Sequence, residues 1–201
     1  MTEDWINFVA TVLPFTVSMS LTPGPNNVMV TASAANFGFR RTIPHMLGVS
    51  FGFPLMLLPL ALGFGAVLAA YPQIHRALHW LGIAYLAWLA WRIATAGQAG
   101  PTSRPRPLTV LEAALFQWIN GKAWVIAIGA ITTYTTVGGD LLLESAAIAG
   151  LFIPVCLAAL AIWAGFGTAI AGWLRTPPAL RAFNIAMALL LVASLVPLVL
   201  E

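Results

Sequence analysis

The sequence predicts an all-α integral membrane protein with six transmembrane helices, arranged as two inverted three-helix repeats. Three observations predict it. The first is composition: 60% of the residues are hydrophobic and only 7% charged, with a mean hydropathy of +0.91. A water-soluble domain carries about 25% charged residues, so this chain cannot cover a globule with a wetted surface. Its long, nearly charge-free runs favour helices over a barrel, whose strands alternate apolar and polar residues. The second is charge placement: seven of the nine Lys and Arg residues fall in alternate loops between six apolar segments. The third is an internal repeat. Shifted by 102 residues, the second segment falls on the fifth and the third on the sixth. Each half then holds an odd number of spans, so the second half must lie upside down, a common transporter plan.

The first segment covers residues 5–35 and is broken by Thr22-Pro23-Gly24-Pro25-Asn26-Asn27. Proline lacks an amide N–H and clashes with the carbonyl four residues back, so Pro23 and Pro25 interrupt the helix. Backbone groups freed in hydrocarbon must be buried in protein or line a wet cavity, and Asn26 and Asn27 add two side-chain amides there. Glu3 and Asp4 lead into this segment, unlike the basic start of a secretory signal, so it is expected to remain as a membrane helix.

The second segment, 44–68, holds Gly48, Gly52, Pro54, Pro59, Gly63 and Gly65. Such small residues suit a bent, closely packed helix, inside the bundle or at a homo-oligomer interface. The third, 74–94, carries Trp80, Tyr85, Trp88 and Trp91. Residues 97–109 are rich in Gly, Pro and Arg and form the clearest aqueous loop, dividing a first half at about 1–96 from a second at about 110–201. The fourth segment is 110–134, the fifth 141–173 and the sixth 179–200, all within one transmembrane domain.

Arg40, Arg41, Arg92, Arg104, Arg106, Arg175 and Arg181 lie in one set of loops, and only Arg76 in the other. Positive loops face the cytoplasm, which puts both termini outside. In the repeat, Gly48 meets Gly150, Gly63-Phe64-Gly65 meets Gly165-Phe166-Gly167, and Gly82 meets Asn184. A shift of about 97 carries Pro23-Gly24-Pro25 onto Asn120-Gly121-Lys122, which interrupts the fourth segment with an amide, a glycine and a cation. Broken helices at matched places in two halves are how many transporters build a substrate site.

Lys122 is the only lysine and lies about a dozen residues into its segment. An ammonium at mid-membrane costs at least about 2.5 kcal/mol, so it faces a cavity or a partner. Glu112, Asp140 and Glu144 lie nearer the segment ends. Lys122 is therefore expected to meet a substrate carboxylate or to titrate, with Gln117 and Asn120 beside it; the alternative is a snorkelling lysine or one bonded to backbone carbonyls. Tyr85 either closes a site or packs. Asn184 serves the site or an interhelical contact. His45 is expected at the membrane interface and His75 and His79 in water, while the tryptophans read mostly as interface anchors. The single Cys156 forms no disulfide. Scattered histidines and one cysteine make no metal site, and no cofactor or nucleic-acid partner is expected. There is no nucleotide-binding loop, no Gly-x-Ser-x-Gly and no buried acid pair, which speaks against an enzyme.

These residues match a family pattern. Thr22-Pro23-Gly24-Pro25-Asn26-Asn27, Phe37-Gly38-Phe39-Arg40 with Gly48, Gly82-Ile83-Ala84-Tyr85-Leu86-Ala87-Trp88-Leu89-Ala90-Trp91-Arg92, Asn120-Gly121-Lys122 and Asn184-Ile185 resemble the LysE/RhtB-type family of small bacterial amino-acid exporters. The resemblance covers nearly the whole chain and looks closest to the cysteine/O-acetylserine branch. It implies export of amino acids or derivatives across the bacterial inner membrane, driven by the proton gradient. Many members carry Asn-Pro-Lys where this chain has Asn120-Gly121-Lys122. The substrate site is expected at Pro23, Gly24, Pro25, Asn26, Asn27, Tyr85, Gln117, Asn120, Lys122 and Asn184. Without a buried acid, a small neutral amino acid fits better than lysine. An exporter of another solute or ion, and a membrane scaffold with no flux, are the alternatives.

Overall fold

The computed structural model describes residues 2–64, 70–95, 106–136, 139–174, 176–194 and 196; the side chains of residues 2–4, 64, 72, 75 and 78 are left aside. Every regular element among them is helical. Helix α1 (Thr2–Leu21) stops at the two prolines, and α2 (Pro25–Phe37) restarts with Pro25 in its first turn, where no amide partner is lost. The two are bent by 54°. Gly38, at φ 86°, ends α2 in a conformation that side chains resist, and α3 (Phe39–Pro59) follows at once. A wide turn, Leu60–Phe64, closes at Gly63 with φ 99°. Helix α4 (Pro72–Ala94) completes the first half.

The second half opens with α5 (Val110–Phe116), one tight turn (Gln117–Ile119), then α6 (Gly121–Tyr134). The two arms are bent by 71°. The break falls at Asn120, whose backbone is extended (φ −92°, ψ 101°), so it forms here without a proline. Helix α7 (Leu141–Ala171) is unbroken for 31 residues. That is about 46 Å of helix, longer than the hydrocarbon core is thick. Helix α8 (Pro177–Ala193) is last.

By length and apolarity two helices qualify as spans, Phe39–Gly63 and Leu141–Ala171, and four if each bent pair counts as one. The expected third and sixth spans fall short of that test as described. Helix α4 carries His and Arg, and α8 is 17 residues long before it reaches residues outside the description. Gly65 and the Phe64 side chain also lie outside it. Where the repeated glycines are described they act differently. A side-chain carbon on Gly48 would overlap the Val110 carbonyl and Ala113, whereas one on Gly150 meets nothing within 4 Å. Helix α5 crosses at Gly48 and Gly52 and nothing crosses at Gly150, so the small residues of α3 serve internal packing.

Helices α3 and α7 pack along each other through the centre, α4 pairs with α8, and α2 lies buried among α3, α7 and α8. Two apolar clusters result. One gathers α2, α4, α5 and α8 around Val30, Leu86, Phe116 and Leu191. The other gathers α1 and α6 around Val12, Met56, Ala127 and Phe152. Polarity is inverted relative to a soluble protein: Leu55, Val125 and Ile162 stand exposed, while Thr16, Asn27, Ser50, Gln117, Asn120 and Asn184 are buried. That is the arrangement a hydrocarbon solvent selects.

Among the described residues the acids Glu112, Asp140 and Glu144 are engaged in local structure. Glu112 and Thr109 cap α5 reciprocally, and Arg106 forks onto Glu112 at 2.7 and 2.8 Å. Asp140 caps α7 through the Leu143 amide, and Glu144 accepts the Thr136 amide.

Candidate functional site

The two breaks meet. At the end of α1 the carbonyls that lost helical partners are answered one by one. The Asn27 amide donates to Ser20 O at 3.0 Å and Thr22 O at 2.9 Å. Trp163 of α7 donates to Leu21 O at 3.3 Å. Lys122 reaches across from the other half and donates to Thr22 O at 2.5 Å, with Pro23 O at 3.5 Å. Asn27→Ala leaves Ser20 O unmatched, and we expect a loss of about 1–3 kcal/mol of stability, read as a lower melting temperature; an unchanged melting point would show that water replaces the amide.

Asn26 and Gln117 form a reciprocal amide pair between the halves, at 2.9 and 3.3 Å, and Gln117 also donates to Ala113 O at 2.9 Å. Asn120 is buried beside them, and its side-chain oxygen has no partner. Trp124 donates to the Trp118 carbonyl at 2.8 Å and holds the approach to the second break. Between the breaks is a cavity of about 470 Å³. Its polar wall is Ser20, Asn26, Asn27, Gln117, Asn120 and Lys122; its apolar wall is Met19, Val49, Phe53, Ile126, Phe152 and Leu160, with Cys156 between them. The cavity lies where the two apolar clusters adjoin, so it opens where packing is interrupted rather than inside either core.

Lys122 has no carboxylate partner among the described residues: its ammonium rests on carbonyl dipoles and faces the cavity. Its stem lies along Gly24. A side-chain carbon on Gly24 would come 2.7 Å from Lys122 Cδ and 3.1 Å from Nζ. Lys122 is flexible enough to yield, so Gly24→Ala is expected to fold normally and displace the ammonium. About a tenfold rise in the KM of solute exchange should follow; normal kinetics would show that the lysine's placement does not matter.

Gly24, Asn26, Asn27, Gln117, Asn120 and Lys122 are thus brought together, with Pro23 and Pro25 shaping the break. Tyr85 and Asn184 do not line this cavity. Tyr85 packs between Trp88 and Phe116, with ring centroids 5.3 and 5.8 Å away. Asn184 pairs with Asn36 at 2.8 and 3.2 Å, at the far end of α2. Helix rotation and the partner across the interface place both, and neither is legible in a linear chain. His45 is 1% exposed, packed inside the bundle at its arginine end. Sequence reasoning overlooked Trp163 and the role of Asn36. A tryptophan in a charge-free run and an amide at a helix end give no signal until their partners are known. Among the described residues no group of three His, Cys, Asp or Glu side chains stands together.

The geometry defines a class: a helical membrane protein whose two broken helices enclose a cavity and a cation without a counter-ion. Comparison with known proteins narrows it. Residues 17–200 match the model of the LysE type translocator family. The chain is 35% identical to the cysteine/O-acetylserine efflux proteins of Salmonella typhimurium and Salmonella typhi, over 89% of this chain and 90% of each relative. It is 32% identical, over the same shares, to the cysteine/O-acetylserine efflux protein of Escherichia coli K12. No solved structure matches. The chain belongs to the LysE-type translocator family; it is a membrane transporter and not an enzyme.

Proposed function

We propose that this protein exports small neutral amino acids or close derivatives, of the cysteine and O-acetylserine kind, by alternating access across the bacterial inner membrane. The observation that carries the reading is Lys122: an ammonium with no acid beside it, facing a cavity between two helix breaks. In this reading its charge receives the substrate carboxylate. The amides of Asn26, Asn27, Gln117 and Asn120 supply polar contacts for the rest of a zwitterion, and Phe53, Phe152 and Cys156 accept a small side chain. The relatives' efflux of cysteine and O-acetylserine supports this substrate class. The absence of an acid from the cavity wall speaks against a basic side chain.

Two inverted three-helix halves are part of the proposal. Two pairings support it: α3 against α7 and α4 against α8 each join elements that the 102-residue shift exchanges. Rocking of one half on the other about the breaks would then open the cavity to either side. Arg92 of α4 and Arg106 just ahead of α5 line one cavity with the end of α2, which supports a cytoplasmic face there and both termini outside. Protons are the proposed coupling ion.

Proteoliposomes loaded with unlabelled amino acid test the substrate class. Counterflow of labelled cysteine, and not of labelled lysine, is the expected result. In inverted membrane vesicles, a protonophore should abolish accumulation but leave exchange. Exchange of lysine in preference to cysteine would reverse the substrate assignment, and accumulation that survives the protonophore would remove protons as the drive.

A further inference from the structure

A second cavity, of about 540 Å³, lies at the arginine end of the bundle between α2, α3, α4 and the segment leading into α5. Helix α2 runs from one cavity to the other, contributing Asn26 and Asn27 to the first and Ser33 and Asn36 to the second. Three groups give the second cavity its chemistry. Arg92 stacks its guanidinium on Trp88 at 4.9 Å and donates no side-chain hydrogen bond to any described residue. Arg106 is forked onto Glu112 and so neutralised. Of the charges on Arg92, Arg106 and Glu112, one positive charge is left over, on Arg92. His45, at the wall, is buried with neither ring nitrogen bonded. A buried imidazole with two idle nitrogens needs an explanation, and an uncommitted guanidinium beside it is well suited to a carboxylate.

We propose that this cavity is a second binding site for the same class of solute. The carboxylate of an α-amino acid docks on Arg92, and its ammonium on the acceptor nitrogen of neutral His45. The site loads the transporter from the arginine end before the solute passes along α2 to Lys122. This rests on the exporter reading of the Lys122 cavity.

The test counts binding sites for radiolabelled cysteine, held reduced, on the full-length protein in lipid nanodiscs. Wild type is expected to bind two equivalents and Lys122→Ala one, with lower affinity. Adding Arg92→Gln to Lys122→Ala should weaken that remaining equivalent at least about tenfold, and Arg92→Lys in the same background should restore much of it. His45→Leu serves as the second variant: it removes the idle nitrogens, should melt no lower than wild type, and should still weaken the same equivalent. One equivalent on wild type that Lys122→Ala abolishes would overturn the second site and leave the Lys122 reading intact. Residual binding unmoved by Arg92→Gln and His45→Leu would overturn it as well. A wild type that binds no cysteine would overturn both readings together.

Discussion

Lys122→Ala is expected to abolish amino-acid counterflow while leaving the protein folded. The ammonium faces the cavity with no acid among the described residues to neutralise it, and the carbonyls of Thr22 and Pro23 accept its bonds. A carboxylate arriving there gains a charge-assisted hydrogen bond of about 1.5–3 kcal/mol. Its loss corresponds to about 10–100-fold weaker binding. The fold should tolerate the change because Thr22 O keeps its bond from Asn27 and Leu21 O keeps its bond from Trp163. Lys122→Arg should recover only part of the activity, since a planar fork is larger than an ammonium and must find room beside Gly24. Counterflow with labelled cysteine, beside a melting curve for each variant, checks this. Exchange at the wild-type rate in a folded Lys122→Ala protein would take the substrate site away from this lysine.

The second large effect concerns the fold. Gly48→Leu should destabilise the protein by about 3 kcal/mol or more, because any side chain at 48 runs into the Val110 carbonyl and Ala113. The obstacle is backbone, so no rotamer relieves it and α5 must move away from α3. That movement would carry Gln117 and Asn120 with it. Gly52, one turn on, meets Ala114 in the same way. Gly150→Leu is the control, since its site is open, and should change stability by no more than about 0.5 kcal/mol. The pair separates two ideas: the repeat makes Gly48 and Gly150 equivalent, whereas packing makes only Gly48 indispensable. Intrinsic tryptophan fluorescence during heating in detergent reads both variants. Equal melting points would show that α5 does not depend on close approach at Gly48.

The breaks themselves were legible. Pro14, Pro44, Pro54 and Pro154 stay inside helices, so what marks the interruption is not proline alone but Pro23 and Pro25 closing on Gly24. The repeat then pointed to Asn120-Gly121-Lys122, where the bend forms around an extended Asn120 without proline. Lys122 was legible because a charge in an apolar run carries its cost wherever the helix packs. For Tyr85 and Asn184 the sequence leaves open a role in the site or in packing between helices, and neither lines the cavity between the breaks. One lies in an aromatic stack on α4 and the other against Asn36. His45 is buried because the rotation of its helix turns it into the bundle, which a linear chain does not display.

Hydropathy, proline stereochemistry and charge placement are properties of short stretches. By themselves they determined that this chain lives in a membrane, that it is helical and where its first helix breaks; the internal repeat pointed to the second break, and the motifs to the family it joins. Tertiary structure alone decided which partner each freed group finds. Asn26 meets Gln117 across 91 residues of chain, Lys122 meets Thr22 across 100, and Asn36 meets Asn184 across 148. These meetings depend on the rotation and crossing of helices packed through Gly48, Gly52 and Gly167. A hydrogen bond tolerates only a few tenths of an ångström, and that precision belongs to the packed bundle, not to any segment of it.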